Sequence, residues 1–267
     1  MKSLPPLAPT PAVEEASLLD ATSVTKRFSG LTALDAVSLS VGPGEIVGLI
    51  GPNGAGKTTL FNCLYGVITP DSGRVTFAGH DIGELPVHRR ARLGIGRTFQ
   101  RIELFVGMTV RDHLLVAERA RRGDGGLVKD LLNRSRPTAE EQERVTATLD
   151  LLGLGDVAER PIESLSLGRG RLVELGRALM IEPQLLLLDE PSSGLDHRET
   201  DEMADVLDTV RSDRGTAILL VEHDVAMVRR VTQRLYVLDF GQVLAAGPTA
   251  KVIADQKVRQ AYLGDTV

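Results

Sequence analysis

The chain has 267 residues, a formal net charge of −5 and 42% hydrophobic residues. A chain of this length can bury a large core, either in one domain with a subdomain or in two small domains. The acidic balance gives no overall field that would attract nucleic acid, and no apolar stretch approaches the roughly 20 residues needed to cross a bilayer. The single cysteine allows no intrachain disulfide, which fits a reducing compartment.

The first segments of the chain are a polar tail and a run of short strands. Residues 1–17 contain four prolines and lack the apolar region of a signal peptide, so we expect a disordered tail there. Residues 23–28 and 36–41 alternate as short strands do, and they are separated by Gly30. The chain from residue 18 onward is predicted to form the folded body.

The glycine-rich segment GPNGAGKTT, at 51–59, is the most informative motif in the chain. It follows the apolar run 46–50 and opens a helix, which is the context that a nucleotide-triphosphate loop requires. Backbone N–H groups of such a loop turn toward phosphate oxygens, Lys57 can reach the β- and γ-phosphates, and the Thr58 hydroxyl can ligate Mg²⁺. We expect ATP or GTP to contact Gly51, Pro52, Asn53, Gly54, Ala55, Gly56, Lys57, Thr58 and Thr59.

A helical block follows the phosphate loop. Thr109 and Asp112 have the spacing of a helix N-terminal cap, and 140–152 is amphipathic, with Val145 and Leu149 on its apolar side. This pattern differs from the strand-rich segments on either side. It predicts a helical insert in an α/β core.

Two further apolar runs, 185–188 and 217–221, are predicted to be strands buried on both faces. The first ends on Asp189 and Glu190, and the second ends on Glu222, His223 and Asp224. Ligands of open α/β sheets bind at the carboxyl ends of the strands. At that edge Asp189 can hold Mg²⁺ through water, and Glu190 can act as a general base on water. Because Pro191 follows, the two acids can also stabilise the N-terminus of a helix. This interpretation is compatible with the catalytic one.

Residues 235–247 alternate around Phe240 and Gly241 as a hairpin, and a short helix to Tyr262 should follow. Cys63 is interpreted as a small buried hydrophobic residue in the phosphate-loop helix. The basic clusters at 88–92 and 119–122 are interpreted as solvated helix faces and not as contact sites for lipid or a partner. Four histidines without metal-ligand spacing are expected at the surface: His80, His88, His113 and His197.

Several motifs together resemble the ATP-binding-cassette (ABC) ATPases over residues 18–264. They are LSLGRGR at 165–171, PSSGLD at 191–196, VEHD at 221–224 and Gln100 within RTFQ, in addition to the phosphate loop. The resemblance implies an α/β fold: a P-loop NTPase (RecA-like) core with an antiparallel β subdomain and an inserted α-helical subdomain. It places the core at 18–97 and 170–240, the helical subdomain at 98–169 and a C-terminal hairpin and helix at 241–267.

The same resemblance implies roles for residues around one nucleotide. Phe28 matches the aromatic residue that stacks on adenine, although a strand-end core phenylalanine is the alternative. Gln100 matches the glutamine that contacts Mg²⁺ and the attacking water. His223 matches the histidine that hydrogen-bonds the γ-phosphate.

The resemblance implies that other residues contact the ATP bound by a second ATPase chain. Ser166 and Gly168 would donate to that γ-phosphate from a helix N-terminus, and Asp196 would lie in the loop that crosses the interface. The chain departs from the usual signature pattern at Arg169, which stands where glutamine is usual, and at Gly170. We expect Arg169 either to approach the opposite phosphate or to point to solvent.

Residues 94–117, the hairpin at 235–247 and the terminal AYLG are similar to the ATP-binding subunit of branched-chain amino-acid importers. This implies an ATPase peripheral to the cytoplasmic face of the membrane, paired with a second ATPase and two permease subunits. An external solute-binding protein would deliver the solute, and no nucleic acid is expected. The alternatives are an ATPase of lipid or lipopolysaccharide export and a soluble ABC ATPase such as an Fe–S assembly factor. The solute stays open among leucine-type amino acids, urea, short amides and aromatic acids.

Overall fold

The structure is a computed structural model that describes residues 17–98, 105–122 and 137–260. Several predictions from the sequence concern residues outside these ranges. The tail before Ser17, the site residue Gln100, Tyr262 and part of the helical insert lie outside the described residues. Elements are numbered below in chain order within the described ranges.

The larger of two sheets has six strands in the order β10-β9-β3-β8-β7-β6. Its strands are β3 Ile46–Ile50, β6 Ile95–Arg97, β7 Leu185–Asp189, β8 Ala217–Val221, β9 Arg234–Asp239 and β10 Gln242–Pro248. The first five named are parallel, and β10 returns antiparallel to β9 as the predicted hairpin. Every residue of β3, β7 and β8 is buried, which confirms the three predicted core strands.

A second, antiparallel sheet covers one face of the first. Its order is β2-β1-β4-β5, with β1 Leu19–Phe28, β2 Leu31–Val41, β4 Ser72–Phe77 and β5 His80–Asp81. Helix α1, Lys57–Tyr65, lies in the apolar core between the two sheets. Alternate residues of the parallel strands, such as Leu187, enter this core, while Leu186 and Leu188 enter a second core under the helices. Burial on both faces explains why these strands read as continuous apolar runs.

The described helices beyond α1 pack mostly on the other face of the large sheet. They are α2 Val87–Arg92, α3 Val110–Arg122, α4 Ala139–Leu151, α5 Leu167–Leu179, α6 His197–Arg214, α7 Val225–Val231, α8 Thr249–Ala254 and α9 Gln256–Val258. The predicted cap of α3 is present, because the Asp112 N–H donates to the Thr109 hydroxyl at 3.1 Å and the Thr109 N–H donates to the Asp112 carboxylate at 3.2 Å. The amphipathic helix predicted at 140–152 is α4.

His113 contradicts the expectation of a surface residue. It is 1% exposed inside α3 and links two backbone groups. Nδ1 lies 2.8 Å from the carbonyl oxygen of Thr109, and Nε2 accepts a 2.8 Å hydrogen bond from the Phe105 N–H. These partners require the neutral ring with its proton on Nδ1. The other three histidines are exposed, as predicted.

Both basic clusters contain a buried arginine, so the prediction of solvated faces is wrong at these positions. Arg119 is buried and pairs with Glu141 of α4 at 3.1 Å. Arg90 is 1% exposed. Its guanidinium donates to four backbone carbonyls at 2.7–2.9 Å, those of Cys63, Leu64, Gly83 and Leu85. Arg90 therefore fixes the end of α1 to the segment before α2.

Cys63 is buried, as predicted, and its burial raises the pKa of the thiol to about 11. The thiol is therefore protonated at neutral pH. Within the three described ranges, no helix has the length and apolar character needed to span a membrane.

Candidate functional site: a nucleotide cleft

The phosphate loop occupies the turn between β3 and α1, and its backbone needs glycine at two close approaches. Gly51 has φ +152°, and a Cβ there would lie 2.0 Å from the Leu238 carbonyl oxygen. Gly56 has φ +103°, and a Cβ there would lie 2.6 Å from the Ala33 carbonyl oxygen. Both contacts are far inside the van der Waals limit, so the loop can follow this path only without side chains at these positions.

The N-terminus of α1 presents backbone donors and a lysine without a competing side-chain cap. Its N-cap is Gly56, and its first turn contains no acidic residue. Lys57 Nζ donates to the carbonyl oxygens of Gly51 at 2.6 Å and Pro52 at 3.0 Å. Burial lowers the pKa of Lys57, while Glu190 and Asp189 oppose that shift. The result is a site for an anion at a helix N-terminus.

The acidic pair lies at the carboxyl end of β7, as the strand pattern predicted. Burial raises the pKa of Asp189, and the Arg97 guanidinium, 3.3 Å away on β6, opposes that shift. Glu190 has φ +52°, a left-handed conformation that is uncommon outside glycine. Its Oε1 atom lies 2.7 Å from Nε2 of His223, which follows β8. Two neighbouring strands thus place a carboxylate and an imidazole in direct contact.

A cavity of about 470 Å³ joins these parts of the site. Phe28, at the end of β1, lines it together with Glu190. Its full lining is Phe28, Leu31, Thr32, Ala33, the loop residues 53–59, Glu190, Phe240 and Gly241. Nothing in the sequence predicts a role at the site for residues 31–33 or for the hairpin tip. These residues come from other sheet segments, and no local motif marks them.

A second group of predicted site residues lies at the ends of α5 and α6, and none of it lines the cavity. Ser166 is the N-cap of α5, and its hydroxyl accepts from the Arg169 N–H at 3.3 Å. Asp196 is the N-cap of α6 in a capping box with Glu199. Glu199 Oε1 also accepts from the Gly168 N–H at 3.3 Å, which joins the two helix ends.

Arg169 has a partner within its own chain that the sequence did not suggest. Its Nη1 atom lies 2.9 Å and 2.8 Å from the two carboxylate oxygens of Asp156. Both side chains are substantially exposed. Gly170, by contrast, is buried in the first turn of α5.

The cleft offers few protein ligands for a metal, which fits a Mg²⁺ ion held mainly by water and phosphate oxygens. Within the ranges that the structure describes, no three His, Cys, Asp or Glu side chains form a metal cluster. Mg²⁺ usually keeps several waters and takes one or two protein oxygens beside phosphate. The exposed hydroxyl of Thr58 and the carboxylate of Asp189 are oxygens of that kind, next to an anion site.

The fold and the cleft define a P-loop nucleotide triphosphatase: a parallel sheet, a glycine loop leading into α1, and an acidic pair ending β7. A family model described as ABC transporter matches residues 34–193. The branched-chain amino acid transport ATP-binding protein LivG of Salmonella typhimurium is 40% identical over 251 residues, covering 93% of this chain and 98% of LivG. This chain belongs to the ABC transporter family and is one of its ATPases.

Two further comparisons bear on the kind of transporter. The lipopolysaccharide export ATP-binding protein LptB of Acidithiobacillus ferridurans is 38% identical over 248 residues, covering 93% of this chain and 97% of LptB. The solved ADP conformation of MJ1267, an ATP-binding cassette of an ABC transporter, superposes with a TM-score of 0.82. It is 33% identical and covers 94% of this chain and all of that one.

Proposed function

We propose that this chain is the ATP-hydrolysing subunit of an ABC importer that takes up branched-chain amino acids or a related small polar or amide solute. The observation that carries the proposal is the cavity in which Phe28, the phosphate loop and Glu190 meet. The similarity to LivG over nearly the whole of both chains supports the importer assignment. We assign the core to 18–97 and 170–240, the helical subdomain to 98–169 and the C-terminal hairpin and helix to 241–267.

In this proposal the cavity holds one ATP. Phe28 stacks on the adenine, and the backbone of 51–59 surrounds the phosphates. Lys57 turns from the loop carbonyls to the β- and γ-phosphates, where its charge is better compensated. Thr58 would hold Mg²⁺ directly and Asp189 would hold it through water, and the bound ion would neutralise phosphate charge. Gln100, which lies outside the described residues, would complete the contacts to the metal and the water.

Hydrolysis requires a base for the attacking water, and Glu190 is positioned to be that base. The water oxygen forms a bond to the γ-phosphorus, the bond from that phosphorus to the β-phosphate oxygen breaks, and the water proton passes to Glu190. The 2.7 Å contact with His223 fixes the Glu190 carboxylate. When ATP is bound, the His223 Nε2 atom that faces Glu190 can instead donate to a γ-phosphate oxygen, so the two side chains act on the same group.

The second group of residues serves a partner ATPase. Ser166 and Gly168 do not line the cavity of their own chain, and in this proposal a second chain brings its γ-phosphate to the N-terminus of α5. Asp196, at the N-terminus of α6, lies at the same interface. Two chains, identical or different, would then enclose two ATP molecules.

The assembly we propose contains two ATPase chains under two permease subunits, at the cytoplasmic face of the inner or plasma membrane. An external solute-binding protein acts indirectly through the permeases. The competing assignment within transport is an ATPase of lipid or lipopolysaccharide export, and the 38% identity to LptB, against 40% to LivG, is the observation behind it. A soluble ABC ATPase such as an Fe–S assembly factor is the alternative outside transport.

Reconstitution separates these functions. The chain is co-expressed and co-purified with candidate permease subunits from the same genome, placed in proteoliposomes with a candidate external receptor, and assayed for ATP hydrolysis with leucine, urea, acetamide or benzoate. Stimulation by one of these solutes together with the receptor supports the importer. Stimulation by lipopolysaccharide without a receptor supports the exporter, and co-purification with no membrane subunit supports the third assignment.

A further inference from the structure

Phe240 is a nucleotide-cleft residue to which the proposed mechanism gives no role. It forms the tip of the β9–β10 hairpin with Gly241 and lines the same cavity as Phe28. Its exposed fraction is 88%, against 42% for Phe28. A large aromatic side chain exposed to this degree at the rim of a ligand cavity contributes little to the packing of its own chain.

The backbone of the tip disfavours phenylalanine. Phe240 has φ +42° and Gly241 has φ +76°, so both residues of this two-residue turn are left-handed. Such turns usually contain Asn-Gly or Asp-Gly, because asparagine and aspartate tolerate this region far better than bulky residues do. Neither turn geometry nor core packing therefore accounts for the aromatic ring. A ligand contact does account for it.

The tip is held firmly beside the phosphate loop. The Gly241 N–H donates to the Ala55 carbonyl at 3.0 Å, and the Gly241 carbonyl accepts from the Asp35 N–H at 2.8 Å. Gln242 Nε2 also donates to the Asp35 carboxylate at 2.7 Å. The hairpin is thus tied to the loop on one side and to β2 on the other, so Phe240 keeps its position relative to the cavity.

We propose that Phe240 is a second aromatic contact for the base of the bound nucleotide, in addition to Phe28. This inference rests on the proposed function of the cavity as an ATP site. Aromatic rings stack on the flat faces of purines, and one such contact corresponds to about a tenfold change in Kd. The phosphates are bound by other groups, so Phe240 contributes to affinity through the base alone.

Phe240→Asn in the full-length chain tests this inference without weakening the turn. Asparagine suits the left-handed conformation, so we expect an equal or higher Tm together with an approximately tenfold higher Kd for ATP. The Kd for inorganic tripolyphosphate, which has no base, should stay the same. Phe240→Tyr keeps a ring and should retain the ATP affinity, and Leu244→Thr on the same hairpin is the control for loss of an exposed apolar side chain.

Two results would overturn the inference. One is an unchanged ATP affinity in Phe240→Asn, and the other is a parallel loss of ATP and tripolyphosphate affinity, which would show an effect through the phosphate loop. Failure of the wild-type chain to bind ATP would contradict the proposed function as well. If the wild-type chain binds ATP normally and Phe240→Asn gives either of the two overturning results, only the inference about Phe240 is contradicted.

Discussion

Glu190 carries the chemical step in this account, because it is the carboxylate that lines the cavity and contacts His223. Replacing it with glutamine keeps the shape and the hydrogen-bonding capacity of the side chain but removes the base. We expect Glu190→Gln to bind ATP normally while hydrolysis falls about 10²-fold or more. Nucleotide titration and steady-state turnover measure the two quantities separately.

Lys57→Ala is the matched variant, since Lys57 lies in the same cavity but contributes to binding. Its loss removes a charge-assisted phosphate contact and should weaken nucleotide affinity itself. If Glu190→Gln and Lys57→Ala lose affinity equally, Glu190 is not the base.

Arg169 has two competing anionic partners in this account. Its exposed pair with Asp156 contributes a net stabilisation of only about 0–1 kcal/mol, and a γ-phosphate carries more negative charge than the single Asp156 carboxylate. We therefore expect Arg169 to leave Asp156 when a partner chain brings its ATP, and Arg169→Gln to shorten the lifetime of the ATP-bound assembly. Dissociation after nucleotide dilution measures that lifetime. An unchanged or longer lifetime would show that Arg169 does not engage the phosphate.

At the scale of elements, Arg90 ties α2 to the end of α1. Arg90→Met fills much of the same volume but leaves four buried or half-buried carbonyls without their donor, so we expect a loss of about 3 kcal/mol or more in the free energy of unfolding. Arg89→Met, at an exposed position of α2, is the control and should change stability by less than about 0.5 kcal/mol. Urea unfolding measures both, and equal effects would contradict the role of Arg90.

His113 makes the stability of α3 and its surroundings depend on pH. Burial lowers the pKa of His113, and its hydrogen bonds require the neutral ring. The unfolded chain takes up this proton near its ordinary pKa, about 6.5, before the folded chain does, so stability falls as pH drops below that value. His113→Asn cannot titrate and should flatten the decline in unfolding free energy between pH 7.5 and 5.5. An identical decline in both proteins would contradict this account.

The elements of the core could be predicted from the sequence because their signals are local. A short apolar run such as 217–221, followed at once by polar residues, predicts a buried strand, and the Thr109–Asp112 spacing predicts a cap. The burial of Arg90 and His113 could not be predicted in this way, since it depends on carbonyl and amide groups that only the folded chain brings together. Phe240 was likewise predicted as part of a hairpin, but its place in the cavity depends on contacts between distant strands.

The whole molecule presents its functional residues on two separate surfaces. The cavity contains the phosphate loop, while the ends of α5 and α6 carry Ser166, Gly168 and Asp196 outside it. In the proposed function, a single chain contributes one half of each of two ATP sites. The account therefore requires ATP-dependent pairing of chains, in which the ATP of each chain contacts the α5 terminus of the other.

Sedimentation of the Glu190→Gln chain, with its partner ATPase supplied, tests this requirement most directly. Because the variant binds ATP without hydrolysing it, we expect a dimer in Mg-ATP and monomers without nucleotide. Adding Ser166→Ala to the same chain should weaken pairing and leave ATP binding intact. Monomers at high protein concentration in both conditions would contradict the account.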